Sequence, residues 1–324
     1  MDTLSEVLRA VRLTGAVYFS IDGSAPWVAE TPPGDVIAPH IGSGVDHVIN
    51  YYVVTSGSCW AGLVGEPPFL IETGDVIVFP QGDPHILSSQ PGMRGRPDED
   101  VYRVANQQSV PICLSLHGGG PEGTKLVCGF LGCDARPFNP VLSALPRVIH
   151  LPAPRDGTPG VGRLIDLALA ESTTPRPGTA GVLSRLSELL FIEVIRFFTA
   201  QLPPEQVGWF AGLRDGTVGP ALNKLHERPA KAWTLVRLAR EIGTSRSVLA
   251  ERFAHLVGMP PMQYLARWRI QMAANLLRTT DAGLGEIAER VGYGSEAALS
   301  RAFKRTLGVS PANYRRTPTD AARA

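Results

Sequence analysis

Two groups of mostly polar residues recur 50 positions apart in the carboxyl-terminal third of the chain. Their members are Ser245, Arg246, Ser247, Ala250 and Glu251 in the first group, and Ser295, Glu296, Ala297, Ser300, Arg301, Lys304 and Arg305 in the second. A guanidinium such as that of Arg301 can bond O6 and N7 of guanine, and a carboxylate such as that of Glu251 can accept from N4 of cytosine. Lysine and arginine also bind phosphate oxygens, which fix position rather than read sequence. These residue types therefore predict contact with double-stranded DNA.

Both groups lie in a repeated segment between Thr234 and Tyr314. Leu238, Ala239, Ile242 and Gly243 recur 49 positions later as Ile287, Ala288, Val291 and Gly292. Leu249, Phe253, Gly258, Pro261 and Tyr264 recur 50 positions later as Leu299, Phe303, Gly308, Pro311 and Tyr314. A repeat that keeps glycine and proline in phase indicates one supersecondary unit used twice.

Each copy has the pattern of a helix, a tight turn and a second helix. In the first copy, Gly243 favours the left-handed conformation that often ends a helix, and Ser245 is a preferred N-cap for the next one. The buried side of that second helix is predicted to be Val248, Leu249, the stem of Arg252 and Phe253. This is a helix-turn-helix, whose second helix enters a DNA major groove. The alternative is a helical bundle used only for packing.

The second copy repeats this plan, and a long helix is predicted between the two. The turn of the second copy is at Gly292, and its second helix is predicted to bury Leu299, Ala302 and Phe303. The connecting segment, Pro261 to Arg278, has 18 residues and begins with a proline, which suits a first helical position. It would span about 27 Å and hold the two second helices about one DNA turn, roughly 34 Å, apart.

At these residues the chain resembles the AraC/XylS family of bacterial transcription regulators. The resemblance is carried by Gly-Tyr-Gly-Ser at 292–295, Ser-Arg-Ala-Phe-Lys-Arg at 300–305, Gly-Val-Ser-Pro at 308–311 and Tyr-Arg-Arg at 314–316. It implies a regulator without enzymatic activity that binds a promoter or operator, with RNA polymerase as a further partner. We expect an activator, although the residues leave repression open.

Charge is divided unequally along the 324 residues. Residues 220–324 contain 17 Lys and Arg against 8 Asp and Glu, a net charge of +9, whereas the rest of the chain carries −8. A basic segment beside an acidic one indicates that only the basic segment meets a polyanion. A solvated basic surface without a partner is the alternative.

Cysteine content and hydropathy indicate the compartment. The four cysteines, Cys59, Cys113, Cys128 and Cys133, are too few and too irregular for a disulfide scaffold. The most apolar run, Leu189–Phe198, is broken by charges and too short to span a bilayer. We therefore expect a cytoplasmic protein without a membrane partner.

The amino-terminal half contains short β-rich runs separated by turns, which predict a sandwich or barrel. The clearest runs are Val48–Thr55, Phe69–Ile71, Val76–Pro80, Ile112–Leu116 and Lys125–Phe130. Gly74 to His85 matches the second sequence motif of the cupin superfamily, and Val53 to Trp60 resembles the hairpin that ends the first. This half thus resembles the small cupin sensor domain of some AraC-type regulators.

An effector site is expected in this domain at His47, Tyr51, Trp60, His85 and Cys128. The cupin-like motif directs His85 into the mouth of the barrel. Tyr51 and Trp60 would supply apolar walls, and the thiol of Cys128 could bind a metal ion or be oxidised. A small molecule, a metal ion and an oxidant all stay open as effectors. His47 and His85 are candidate ligands of a transition metal, but the second histidine and the glutamate of the metal-cupin motif are missing. The alternatives are core packing of these residues and a cupin metalloenzyme fused to a DNA-binding module.

Two further segments have recognisable patterns. Residues 158–202 predict two helices, and the second has so wide an apolar arc, including Leu186 and Leu190, that it must be buried on two sides. One side is assigned to the barrel and the other to a homodimer interface, with an intramolecular hairpin as the alternative. Gln90–Gln108 lacks periodicity and predicts a mobile loop.

The patterns combine into an α+β architecture. We predict a cupin-like β-barrel sensor at 1–155, a helical linker and dimerisation segment at 156–216, and an all-α double helix-turn-helix at 217–324. The predicted function is sequence-specific regulation of transcription, controlled by an effector at the cupin domain. An architectural DNA binder without a sensor would leave the barrel without a purpose.

Overall fold

The computed structural model describes residues 2–11, 13–41, 45–105, 112–120, 122–134, 137–153, 159–174, 176–203 and 205–316. Its strands are β1 (Thr14–Ser24), β2 (Val28–Thr31), β3 (His47–Leu63), β4 (Phe69–Glu72), β5 (Val76–Phe79), β6 (His85–Ser88), β7 (Ile112–His117), β8 (Glu122–Cys133) and β9 (Ile149–Leu151). Its helices are α1 (Thr3–Ala10), α2 (Gly34–Ile41), α3 (Asp100–Ala105), α4 (Pro140–Ala144), α5 (Pro159–Thr173), α6 (Thr179–Ala200), α7 (Trp209–Arg214), α8 (Val218–Glu227), α9 (Leu235–Glu241), α10 (Arg246–Val257), α11 (Pro261–Thr279), α12 (Leu284–Val291), α13 (Glu296–Leu307) and α14 (Pro311–Arg316).

These elements form two compact units. The sheet unit consists of Leu13–Cys133 and Leu145–Ala200, and the helical unit of Met1–Arg12, Asp134–Ala144 and Gln201–Ala324. In the sheet unit the main strand order is β2-β6-β3-β8-β1-β7, with β4 and β5 also paired to β3 and β9 paired to β5.

The long strand β3 curls the sheet because its two halves pair with different neighbours. His47–Gly57 pairs with β8, whereas Ser58–Leu63 pairs with β4 and β6. A register shift between Val54 and Ser56 separates the halves. Since a bulge reverses the alternation of side chains, the core-facing residues change parity. They are Val48, Tyr52 and Val54 before the shift, and Cys59, Ala61 and Leu63 after it.

Helix α6 packs against the other face of this sheet. The Tyr51 hydroxyl lies 2.8 Å from Ser187 Oγ of α6. Leu186 and Leu190 are only 5% and 6% exposed and line a small crevice with Tyr51 and strand residues of the same unit. These leucines were predicted to serve a subunit interface as well, and that assignment is wrong because they are buried within the unit.

The helical unit contains the two predicted helix-turn-helix pairs, α9–α10 and α12–α13. Helix α11 joins them with 19 residues, about 28 Å at 1.5 Å per residue. Each second helix ends at a left-handed glycine, Gly258 with φ 77° and Gly308 with φ 77°. The helix boundaries therefore agree with those expected from the repeat.

Two short segments join the helical unit, although their sequence positions suggested the sheet domain. The Phe138 N–H donates to Gln271 Oε1 at 2.9 Å, and Asn275 Nδ2 donates to the Ala10 carbonyl oxygen at 3.2 Å. Both partners belong to α11. Helices α5 and α6 lie in the sheet unit, so the boundaries at 155 and 216 differ from this grouping.

The predicted α+β class is confirmed, with a curled sheet followed by a helical segment and an all-helical region. Within the ranges described above, no helix is long and apolar enough to cross a membrane.

Candidate DNA interface and effector cavity

Helix α10 presents its amino-terminal residues on a fixed scaffold. Ser245 Oγ accepts a hydrogen bond from the Val248 N–H at 3.2 Å, which caps the helix as predicted. Leu249 and Phe253 are fully buried and set which side faces the core. The predicted contact residues Ser245, Arg246, Ser247 and Glu251 are exposed, and Ala250 is half-buried.

One residue of α10 differs from the predicted buried face, because Val248 is 47% exposed. The guanidinium of Arg252, of which only the stem was predicted to be buried, donates from Nε to Asp215 Oδ2 at 2.7 Å. Asp215 also accepts the N–H groups of Thr217 and Val218 at the start of α8. Burial alone would raise the pKa of Asp215, but these hydrogen bonds outweigh it and lower the pKa. The Asp215 carboxylate therefore connects α10 with the start of α8.

Helix α13 has the same plan with a different surface. Ser295 Oγ accepts from the Ala298 N–H at 3.2 Å, and the predicted core residues Leu299, Ala302 and Phe303 are buried. Of the predicted contact residues, Ser300 is half-buried and the others are exposed: Ser295, Glu296, Ala297, Arg301, Lys304 and Arg305. In the described part of the chain, Arg301 and Lys304 form no ion pair, so both charges are available to a polyanion.

A hydrogen-bonded aromatic cluster supports α10 from within the unit. Trp209 Nε1 donates to the Tyr264 hydroxyl at 2.8 Å, and that hydroxyl lies 2.8 Å from His226 Nε2. The Tyr264 ring contacts Phe253 of α10, with centroids 5.7 Å apart. Burial lowers the pKa of His226 to about 3, so this histidine is neutral. The cluster holds α7, α8, α10 and α11 together without a buried charge.

The sheet unit contains a cavity of about 270 Å³ on the core side of its strands. Apolar and aromatic residues form most of the wall, and polar groups lie at one end and at the mouth. The lining residues are Phe19, Ile21, Val28, Ala29, Glu30, Thr31, Tyr52, Arg96, Asp98, Val101, Tyr102, Leu114, Ser115, Leu116, Cys128 and Phe130. Such a composition is typical of small-molecule sites.

The polar end of the cavity leads to the histidine of the cupin-like motif. The Tyr52 hydroxyl lies 3.0 Å from Thr31 Oγ1 and 2.6 Å from His85 Nε2. His85 Nδ1 lies 2.8 Å from the Asp83 carbonyl oxygen, and burial lowers the pKa of His85 to about 4. Burial also raises the pKa of Tyr52. At neutral pH the cavity therefore ends in uncharged groups.

The predicted effector residues separate into two sets. Cys128 lines the cavity, and His85 lies behind Tyr52. Tyr51 instead bonds Ser187 on the opposite sheet face, His47 Nε2 bonds the Pro80 carbonyl oxygen at 2.7 Å, and Trp60 lies on the far side of β3 from Cys59. These three side chains do not line this cavity, and their assignment to an effector site stays a prediction.

Tyr52 was the residue that sequence reasoning missed. It pairs in register with Cys128, and Cys128 also pairs with Phe19, so the three strands bring their side chains to one wall. The alternation of β3 places Tyr51 and Tyr52 on opposite faces. Tyr52 could have been assigned to the cavity wall if the pairing register of β3 with β8 had been known.

The geometry does not fit the suggested transition metal. Both ring nitrogens of His85 and Nε2 of His47 already have hydrogen-bond partners. Among the residues that the structure describes, no three His, Cys, Asp or Glu side chains are grouped so that they could hold a metal ion.

The mouth of the cavity is formed by the segment predicted as a mobile loop. Glu30 accepts two hydrogen bonds from Arg94, at 2.7 and 3.0 Å, and one from the Gly95 N–H. Helix α3 lies within the segment and contributes Val101 and Tyr102 to the wall. Residues 90–99 form no helix or strand, as predicted for a loop, whereas 100–105 form α3 and 106–108 lie outside the described residues.

Two helix-turn-helix units on one connecting helix, with exposed polar second helices, define a DNA-binding protein. Comparison with known proteins agrees. A helix-turn-helix domain model matches residues 238–317, and a cupin model matches residues 2–200.

Relatives extend along nearly the whole chain. The chain is 32% identical over 321 residues to a Streptomyces lividans protein described as an AraC-like transcription regulator, covering 98% of this chain and 99% of the relative. A Streptomyces antibioticus protein with the same description is 42% identical over 291 residues, covering 82% and 93%. The chain belongs to the AraC family of DNA-binding transcription regulators and has a cupin sensor domain. These relatives are regulators, which confirms the prediction that the protein is not an enzyme.

A solved structure is similar to part of the chain. The DNA-binding domain of AdpA, a global transcriptional factor in complex with a target DNA, is 34% identical and covers 31% of this chain and 90% of that one, with a TM-score of 0.30.

Proposed function

We propose that a small, uncharged and largely apolar molecule binds the sheet-unit cavity and controls how α10 and α13 bind promoter or operator DNA, with RNA polymerase as the downstream partner in the cytoplasm. The cavity of about 270 Å³ beside the Tyr52 hydroxyl is the observation that carries this proposal. Its volume suits a compact ligand rather than a macromolecule.

The charge distribution favours a neutral ligand. Burying an ion without a partner is costly, and Glu30 at the wall already has Arg94 as its partner. The other charged lining residues, Arg96 and Asp98, are exposed to solvent. Deeper in the cavity, Thr31 and Tyr52 offer only neutral hydroxyl groups. A ligand with one hydrogen-bonding group at that end and an apolar body fits both parts of the wall.

The thiols argue against an oxidant as the effector. Burial raises the pKa of Cys59 to about 12 and raises the pKa of Cys128 as well. Because the thiolate is the reactive form, Cys59 and Cys128, two of the three buried cysteines, are poor redox sensors. The metal ion is disfavoured by the occupied histidine nitrogens.

A cavity-filling variant tests this proposal on the full-length protein. Leu114→Trp fills the cavity, and Cys113→Trp on the same strand, whose side chain is exposed, is the matched control. Thermal-shift screening would compare neutral aromatic and alicyclic compounds with their carboxylate analogues. We expect neutral compounds to stabilise the wild type and Cys113→Trp by about 2.7 kcal/mol at 100 times Kd, and to leave Leu114→Trp unchanged.

The DNA-binding assay completes the test. A stabilising compound should change the affinity of wild type and Cys113→Trp for operator DNA, and have no effect on Leu114→Trp. Stabilisation by carboxylates or metal ions alone, or a full response from Leu114→Trp, contradicts the proposal.

We also propose that the protein is a homodimer, through the exposed side of α6. Val182 is 41% and Leu189 48% exposed, and they lie seven residues apart, so they share one face. Leu189→Arg should give a folded monomer in analytical ultracentrifugation, whereas Val236→Arg, at a valine of α9 that is 51% exposed, should stay dimeric. A wild-type protein that is monomeric at tens of micromolar contradicts the dimer.

A further inference from the structure

We propose that Val248 determines specificity by packing against the C5-methyl group of a thymine in the major groove. This inference rests on the proposed role of α10 as a DNA-reading helix. The helical pattern predicts a buried Val248, and its exposed position gives it a different role.

The location of Val248 matches that of a base-contacting residue. Its N–H donates to the capping Ser245 Oγ, which places the side chain in the first turn of α10. In helix-turn-helix proteins the first turns of the second helix contact base edges. Val248 also stands 100° around the helix from the buried Leu249 and next to the exposed Ser247. Its methyl groups therefore face the same solvent as the predicted polar contacts.

Neither folding nor packing explains a valine at this position. Single exposed apolar residues are common, and the helical unit has others, such as Val236 and Val309. Val248 differs because it lies on a reading helix. A β-branched residue is also a weaker helix former than alanine, so an exposed valine does not stabilise α10.

The repeat does not require this valine either. The matching position in α13, 50 residues later, is Ala298, which is half-buried. The two helices share their caps and core residues but not this one. The difference indicates a contact that α10 makes and α13 does not.

Thymine is the base that fits an apolar, branched side chain. In the major groove it alone presents a methyl group, and apolar side chains contact that group. Valine has one strongly preferred rotamer in a helix, so little side-chain freedom is lost on contact.

Replacing thymine by uracil removes the methyl group and changes nothing else in the groove. In the footprinted operator, each thymine facing α10 would be replaced singly by deoxyuridine, and Kd measured with full-length protein. We expect one replacement to weaken wild-type binding about fourfold, the effect of one methyl-sized group. The same replacement should not weaken binding by Val248→Ala.

Val236→Ala is the matched control, because Val236 is 51% exposed but lies on α9. It should show the same fourfold loss with uracil as the wild type. If Val248→Ala keeps that loss, or if no thymine facing α10 shows one, the inference is wrong while DNA binding by α10 stands. If the wild type protects no segment facing α10, the proposed function itself fails.

Discussion

Helices α10 and α13 share a fold but differ in charge. Both begin at a serine cap and end at a left-handed glycine. The exposed face of α13 carries Arg301, Lys304 and Arg305 against Glu296. On α10, Glu251 opposes Arg246, and Arg252 is paired with Asp215. The repeat therefore preserves the scaffold while the surface diverges.

This difference suggests a division of work on DNA. Phosphate contacts supply affinity that depends on salt, and base contacts supply specificity. The cationic α13 is suited to bind the phosphates of the DNA backbone, and its Arg301 is also suited to contact a base. The nearly neutral α10 has Ser247, Val248 and Glu251 at its surface, which are suited to base edges rather than phosphates. We infer that α13 provides most of the electrostatic binding and α10 mainly selects sequence.

The largest effect is expected from removing the cations of α13. The double variant Lys304→Ala and Arg305→Ala should weaken binding to any sequence by about 3–6 kcal/mol, since each of the two charged hydrogen bonds contributes about 1.5–3 kcal/mol. The slope of log K against log salt should fall by about 2. Fluorescence anisotropy at four salt concentrations measures both. The opposite effect is expected on α10, where Glu251→Ala removes a negative charge and should raise the affinity for random DNA. Equal slopes for the wild type and the double variant would contradict the proposed role of α13.

Arg301→Ala should have a smaller and more selective effect. Loss of a bidentate contact to guanine costs about 1–3 kcal/mol on the cognate site. Specificity should relax at one base position only, which selection from a random library would show. Lys304→Ala alone is the control and should leave the preferred sequence unchanged. A uniform loss across all sequences from Arg301→Ala would assign this residue to the backbone.

The smallest effect on DNA is expected from Asp215→Asn. It replaces the charged partner of Arg252 by a neutral amide, whose oxygen can still accept the N–H groups at the start of α8, so the cost is that of one partly exposed ion pair, about 1 kcal/mol or less. DNA affinity should fall slightly, and only for the segment that faces α10.

The pH dependence of stability separates the charge from the side-chain shape. Because the folded pKa of Asp215 is lowered, its contribution is present above the unfolded pKa of about 3.9 and is lost as pH falls through the folded value. Asp215→Asn should lack that acid-dependent loss in urea unfolding between pH 5 and pH 3. An identical acid profile in both proteins would show that the pair does not stabilise the unit.

The helical unit was predictable because its signals are local. Caps at Ser245 and Ser295, and the left-handed Gly258 and Gly308, specify the helix ends without reference to distant residues. Val248 was misplaced because a helical pattern tolerates an apolar residue at the edge of the buried stripe. Its exposure is decided by the neighbours of α10.

The effector cavity was less predictable because its wall depends on strand register. The motif correctly indicated that His85 is inside, yet Tyr52 rather than Tyr51 reaches it. The register shift after Val54 then turned Trp60 away from the core. Neither the pairing of three distant strands nor a bulge can be located from the residues of one strand alone.

One measurement tests the division between the helices most directly. The footprinted operator would be shortened by one helical turn at either end, and the salt dependence of affinity measured for both truncated duplexes. We expect removal of the turn facing α13 to reduce the salt slope by about 2 or more, and removal of the turn facing α10 to reduce specificity with a smaller change in slope. Equal changes in slope, or full binding by either shortened duplex, would contradict the account.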